Sequence, residues 1–261
     1  MKRTLITVDP CLYPSALRPL LETGRVYDSS CSHEARVVYI EKDEGYYLKS
    51  AKAGSLAREA EMTGYFHAKG LAPEILFYAT EGETDYLLSQ RARGEDATHD
   101  AYLADPKRLC DTLAATLRAL HETGFDGCPV TDRTAEYLAL VENNYRAEKG
   151  DPSFLRDYGL FTADEAFSLV KENAPYLKRD VLLHGDYCLP NVMLENWRFS
   201  SFIDLGNGGV GDRHIDLFWG VWTLWYNLKT ADYTHRFLDA YGRDRVEPTL
   251  LRTVAMAEIF G

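Results

Sequence analysis

The sequence predicts an α+β protein of two lobes, β-rich over residues 1–92 and mainly helical over residues 93–261. Three observations lead there. The first ninety residues carry short runs of β-branched and aromatic residues separated by polar turns, the pattern of hairpins. Beyond residue 105, apolar residues recur at helical spacing behind recognisable capping residues. A third block, residues 181–216, returns to short apolar runs whose ends deliver polar residues in a fixed order.

The N-terminal elements follow from local chemistry. Residues 35–41 and 46–50 read as two strands joined by the turn Lys42-Asp43-Glu44-Gly45. Gly54 and Ser55 open a helical pattern with apolar Leu56, Ala60, Tyr65 and Phe66, and Ser55 is the expected N-cap. Gly70 and Pro73 stop that helix. Residues 75–79 and 86–89 are two further strands, divided by the polar turn 81–85.

In the second lobe, Asp105-Pro106 combines an N-cap with proline at the first helical position, and Leu109, Leu113, Leu117 and Leu120 follow at helical spacing. Helices are also expected over 134–146 and 162–174, the latter opened by the capping box Thr162-Ala163-Asp164-Glu165. Short strands at 181–183, 192–194 and 201–203 come next, and three helices, near 213–228, 231–241 and 247–259, complete the chain.

The formal net charge is −11 and the isoelectric point about 5.1. That argues against nucleic acid, whose binding footprint is basic, and favours a cationic partner. Five cysteines without a C-x-x-C pair suggest reduced thiols rather than a disulfide framework or a zinc site. No apolar run follows Met1-Lys2-Arg3, and the apolar-rich 217–228 is too short to span a bilayer. A cytoplasmic protein, monomeric or weakly dimeric and free of the membrane, is expected.

The chemistry sits in one ordered set. Asp186 is followed by Asn191 five residues later and by Asp204 thirteen beyond that. This is the polar set of a kinase active site: one carboxylate to orient and deprotonate a hydroxyl, an amide and a second carboxylate to hold Mg²⁺ against nucleotide phosphates. The order parallels that of protein kinases, with Gly185 and Leu205 where those carry Arg and Phe. Lys49 closes an apolar strand, where an ammonium needs an anionic target such as a phosphate, and Glu59 is its expected partner, with Glu61 a competitor. His184 reads as a packed residue bonding the loop backbone, and Asp216 as a buried acceptor that ties the loop down. Ser29, Ser30 and Ser32 could donate to phosphate from a hairpin that holds no glycine, and no Walker A lysine motif occurs.

These residues resemble the aminoglycoside phosphotransferases, most closely the 3′-hydroxyl-modifying branch. The resemblance rests on Val181 to Met193, Phe202-Ile203-Asp204-Leu205-Gly206, Gly211 to Leu217, Tyr47-Leu48-Lys49, Arg58-Glu59, Leu87 to Gln90 and Ala257-Glu258-Ile259-Phe260. It implies a bilobal protein-kinase-like fold, with ATP (GTP being an alternative) as donor and a cationic aminoglycoside as acceptor. It also implies Asp186 as catalytic base, Asn191 and Asp204 as Mg²⁺ ligands, and Lys49 on the phosphates backed by Glu59. Ser32 matches a nucleotide-positioning serine, and Ser89 and Arg91 match residues whose backbone meets adenine. Glu258, Phe260 and Gly261 match the C-terminal grip on the drug. The chain departs from the family pattern at Asn207, where an Arg is frequent, and at Ala257. Its acidic segment Glu148, Asp151 and Asp157 has no clear counterpart.

Two other readings compete: a kinase of choline, homoserine or a sugar on the same fold, and a non-catalytic nucleotide-binding module. An aromatic cage would favour choline, but the helical spacing of Trp219, Trp222, Trp225 and Tyr226 points to core packing.

Overall fold

A computed structural model describes residues 3–31, 35–151 and 162–261. The chain forms two compact units. The first comprises Met1–Asp96, Val192–Asn196 and Ser200–Gly206; the second comprises Ala97–Asn191, Trp197–Phe199 and Asn207–Gly261.

Unit 1 is built on a six-stranded antiparallel sheet. Its strands are β1 (Thr4–Ile6), β2 (Arg25–Asp28), β3 (Ala35–Glu41), β4 (Tyr46–Lys52), β5 (Ile75–Glu81) and β6 (Thr84–Gln90), in the order β1-β2-β3-β4-β6-β5. The alternation of side chains puts Val26, Val38, Ile40, Leu48 and Leu88 against Tyr13, Leu17 and Leu21, the last on helix α1 (Arg18–Thr23). Helix α2 (Ala57–Ala68) buries Met62 and Phe66 completely, and the Phe66 ring meets Phe202 edge-on at 6.3 Å. The short β7 (Glu95–Asp96) pairs antiparallel with β9 (Val192–Glu195), with Glu95 opposite Leu194 and Asp96 opposite Met193. Gly94 makes that pairing possible: at φ +81° an added Cβ would lie 2.1 Å from the Leu194 carbonyl oxygen.

Ser55 does not cap α2. Its hydroxyl turns back to the Lys52 carbonyl, and the Leu56 amide is met at 2.9 Å by Oδ2 of the buried Asp85. A carboxylate 29 positions away thus does what a local cap would have done. Gly70, at φ +72°, follows the helix end as expected.

Unit 2 carries helices α3 (Asp100–Leu103), α4 (Pro106–His121), α5 (Arg133–Arg146), α6 (Ala163–Asn173), α7 (His214–Leu228), α8 (Thr234–Gly242) and α9 (Pro248–Ala257). Asp105 caps α4 through the Arg108 amide, and Leu109, Leu113, Leu117 and Leu120 are all buried. Each such side chain contributes about 1.5–3 kcal/mol relative to exposure. Thr162 and Glu165 form the reciprocal capping box of α6. Two short strands, β8 (Val181–Leu183) and β11 (Gly209–Gly211), pair antiparallel, while β10 (Arg198–Phe202) follows β9.

The C-terminal core gathers Tyr137, Val141, Val170, Leu183, Ile215, Phe218, Val254, Ile259 and Phe260 among others. Trp219 and Trp222 pack against it. Trp225 and Tyr226 do not: 46% and 50% of their surfaces are exposed, so core packing explains only half of that aromatic stripe. Among the described residues no helix is long and apolar enough to cross a membrane.

Candidate active site

In unit 1, the central strand β4 delivers Lys49 and helix α2 delivers Glu59, whose carboxylate receives the Lys49 ammonium at 2.6 Å. Lys49 also meets Asp204 Oδ1. Glu61 is not the partner. Burial alone would pull the Lys49 ammonium down, but Asp204 and Glu59 outweigh it and hold it at about 12. Burial pushes the Glu59 carboxyl up against the pull of Lys49, and Asp204 adds to the rise. Asp204 itself adopts φ +59°, a left-handed conformation that non-glycine residues hold only where surrounding contacts impose it.

Ser89 lies in β6 opposite Tyr47 of β4, in the same register row set as Lys49 and Leu87. The Arg91 amide donates to the Gly45 carbonyl at 2.9 Å, and its guanidinium lies 3.6 Å from Glu95. Ser32 lies outside the described residues.

In unit 2 the loop after β8 is held from behind. Asp216 of α7, wholly buried, accepts the His184 amide through Oδ2 and the Gly185 amide through Oδ1, each at 2.8 Å. His121, at the end of α4, adds its Nε2 at 3.2 Å from the same carboxylate, and its Nδ1 lies 2.8 Å from the Tyr241 hydroxyl. The expectation for Asp216 holds through backbone amides, and His121 was not foreseen. His184 accepts the Asp186 amide on Nδ1 at 3.3 Å, so it is a loop-bonding residue and not a second base. Gly185, at φ +84°, sits so close to the Asn207 carbonyl that a Cβ would lie 1.8 Å from its oxygen. No side chain fits there, which accounts for glycine directly before Asp186.

Asp186 projects from this anchored loop. The Asn191 amide donates to its Oδ2 at 2.9 Å and to its backbone carbonyl at 3.0 Å. This leaves the Asn191 side-chain oxygen for a hard cation. The Cys188 thiol also bonds the Asp186 carboxylate, and burial together with the Asp186 charge pushes that thiol far above its ordinary value. Thr223 fixes the same loop by accepting the Leu189 amide at 3.0 Å.

Glu258 opens a short 3-10 turn after α9. Its Oε1 accepts the Tyr137 hydroxyl at 2.8 Å, and Trp219 bonds it as well. Burial pushes the Glu258 carboxyl up to about 7, aided by the Asp186 charge and opposed by Tyr137, Arg133 and Trp219. Phe260 is buried against Tyr145 and Phe167, and the Asn144 amide holds its carbonyl at 2.8 Å. Its ring therefore fixes the terminus rather than facing a ligand, while Gly261 is exposed. The Asp151 amide bonds the Ile259 carbonyl at 2.9 Å, joining the acidic segment to this turn. Asp157 lies outside the described residues.

The structure therefore gathers Lys49, Glu59 and Asp204 in unit 1, and Asp186, Asn191 and Glu258 in unit 2. Tyr137, Trp219, His121 and Cys188 join them without a sequence signal beyond an aromatic or polar residue in a helix or loop. Among the described residues no group of three or more His, Cys, Asp or Glu could hold a metal alone. Mg²⁺ needs no such cage, since it takes one or two protein oxygens plus phosphates and water. The oxygen donors of Asp204 in unit 1 and of Asn191 in unit 2 are each of the kind it takes.

The sequence profile of the phosphotransferase enzyme family matches residues 31–251. A Lactococcus lactis protein named "Probable aminoglycoside 3′-phosphotransferase" is 47% identical over 249 residues, covering 95% of each chain. The crystal structure of an aminoglycoside-3′-phosphotransferase of type VIII superposes with a TM-score of 0.69 at 19% identity, covering 90% of this chain and 91% of that one. A Streptomyces rimosus aminoglycoside phosphotransferase, in complex with ADP and streptomycin, gives 0.68 at 22% identity, covering 85% and 90%. These likenesses establish the α+β kinase-like fold.

Proposed function

The chain belongs to the phosphotransferase enzyme family, and on that premise we propose that it transfers the γ-phosphoryl group of ATP to the 3′-hydroxyl of an aminoglycoside antibiotic, conferring resistance. One observation carries this reading. In unit 2 the Asp186 carboxylate lies within electrostatic range of a second carboxylate, Glu258, and both accept largely from neutral donors. Negative charge kept in that way suits a polyammonium sugar that also presents a hydroxyl.

Each residue then has a task. Lys49, held charged by Glu59, meets the phosphates of the triphosphate. Asp204 and the Asn191 oxygen would hold Mg²⁺, which neutralises phosphate charge when bound. Asp186 accepts a hydrogen bond from the substrate hydroxyl and takes its proton. The hydroxyl oxygen bonds to the γ-phosphorus as the bond from that phosphorus to the β-bridging oxygen breaks, and ADP leaves. Asn191 and the Asp216–His121 pair supply orientation, which is the larger part of what phosphoryl transfer asks of a protein. Glu258 binds an ammonium group of the acceptor and adds no bond-breaking step.

The choline reading is weaker. Trp222 and Tyr226 stack in parallel at 4.9 Å, which leaves no room for a quaternary ammonium between them. Expression in a sensitive bacterium tests the proposal: inhibitory concentrations of kanamycin and neomycin should rise with the parent gene and not with the Asp186→Ala variant. Unchanged sensitivity with the parent protein present at full level contradicts it.

A further inference from the structure

Arg133 stands in the first turn of α5, where the helix macrodipole disfavours a cation, yet its side chain is only 12% exposed. Glu136, one turn on, lies 3.9 Å from its Nη1, a loose contact. The firm contacts go elsewhere. Nε donates to the Asn207 carbonyl at 3.0 Å, and Nη2 donates to Asn207 Oδ1 at 3.3 Å. A planar fork on two oxygens of one residue fixes orientation as well as position.

What Arg133 holds is the backbone beside the catalytic loop. Strand β11 pairs with β8, with Gly209 opposite Leu183, and beyond that pair Asn207 comes against Gly185. The approach is closer than a side chain would permit, since a Cβ on Gly185 would lie 1.8 Å from the Asn207 carbonyl oxygen. The stem of Arg133 lies against the same stretch: a Cβ on Gly209 would be 3.1 Å from the Arg133 Cβ. The carbonyl that receives Arg133 is therefore the one on which Gly185 is seated, and Asp186 is the next residue. Asp216 fixes this turn through its amides, and Arg133 fixes the surface beneath it.

We propose that Arg133 is a positioning residue for phosphoryl transfer: clamped on Asn207, it holds the surface that seats Gly185 and thereby sets where the Asp186 carboxylate meets the acceptor hydroxyl. The role belongs to the two-point fork and not to positive charge alone. Such placement matters, because a misplacement of about 1 Å costs about 10²-fold in rate. The proposal rests on the aminoglycoside reading above.

The test is steady-state kinetics of the full chain with Mg·ATP and saturating kanamycin. Arg133→Met keeps the stem against Gly209 and removes the fork, so kcat should fall by about 10- to 100-fold while KM for ATP stays within about two-fold. Arg133→Lys restores the charge without the fork and should stay within about three-fold of the Met variant. Asn207→Ala changes no helix residue and leaves the carbonyl in place, so kcat should fall less, by about three- to ten-fold. That loss should vanish in the Arg133→Met background, because both changes remove one shared interaction. An Arg133→Met kcat near the parent's, recovery in the Lys variant, a matching rise in KM for ATP, or losses that multiply in the double variant would each overturn the clamp and leave the aminoglycoside reading intact. A parent protein that does not phosphorylate kanamycin overturns that reading, and the clamp with it.

Discussion

The two units solve opposite electrostatic problems. In unit 1 a cation lies between two carboxylates: Glu59 and Asp204 both pair with Lys49, whose charge is secured against burial. In unit 2 the carboxylates are held by neutral donors: Asp186 by an amide and a thiol, Glu258 by a phenol and an indole, Asp216 by backbone amides and an imidazole. Unit 1 thereby keeps Lys49 charged, which on the proposed function serves the phosphates. Unit 2 holds its carboxylates without an ion pair, and on the proposed function they face a cationic acceptor. The lesson is that hydrogen bonding to neutral groups positions a carboxylate without an ion pair, while burial sets where it ionises, about 7 for Glu258.

The largest expected effects separate the units by which substrate suffers. Asp186→Ala should lower kcat by about 10²–10⁴-fold, the usual worth of a positioned base, with KM for ATP nearly unchanged. Asp204→Ala should abolish turnover and also weaken nucleotide binding, as titration of Mg·ATP followed by calorimetry would register. If the Asp186 variant loses nucleotide affinity as strongly, the division fails.

Stability sharpens the contrast. Glu59→Ala leaves Lys49 partly buried with one partner fewer, side-chain exposure being 20% for Lys49 and 15% for Glu59. Urea unfolding should show a loss of about 3 kcal/mol, the lower end for breaking a buried pair. Asp186→Asn should cost under about 1 kcal/mol, since its partners are neutral and the Asn oxygen can still accept from the Asn191 amide.

Glu258 makes a smaller and pH-dependent prediction. Glu258→Gln should cost about 1.5–3 kcal/mol in kcat/KM for the drug, with the penalty shrinking in high salt. In the parent, kcat/KM for the drug should rise with pH through about 7 as this carboxyl ionises, and that limb should be missing in the Gln variant. Stability carries the opposite sign. A carboxyl whose folded value lies above its unfolded value favours folding most below the unfolded value of about 4.3. That contribution is lost as pH rises through about 7. The melting temperature of Glu258→Gln should therefore gain on the parent between pH 4 and pH 8. Asn191→Ala should have the mildest effect on turnover, because water can replace a neutral oxygen. A loss as large as that of Asp204→Ala would contradict that ranking.

What could be read in the sequence was what local rules govern. The α4 leucines, the Asp105 and Thr162 caps and the β3–β4 hairpin obey short-range periodicity and turn chemistry, and they formed as expected. Lys49 with Glu59 was legible because a lysine ending an apolar strand requires an anion. The misses are long-range or anomalous. Strands β1 and β2 are three and four residues long and partly polar, so their pairing is set by the sheet rather than by their own pattern. Strand β11 contains two glycines, which disfavour strands, yet Cβ atoms at Gly209 and Gly211 would collide with Val130 and Leu183. The Leu56 amide finds Asp85 instead of Ser55, and Glu258 finds Tyr137 across 121 positions. His121 and Asp216 are 95 apart, and no local signal connects them.

The central claim is that this chain places phosphate on one particular hydroxyl of an aminoglycoside. The direct test is the product itself, from kanamycin incubated with purified protein and Mg·ATP and analysed by phosphorus and carbon NMR. The account predicts a single phosphate monoester whose phosphorus couples to the 3′ carbon, no product from a 3′-deoxy analogue, and no product from Asp186→Ala. A phosphate on another position, or equal phosphorylation of the 3′-deoxy analogue, would contradict it.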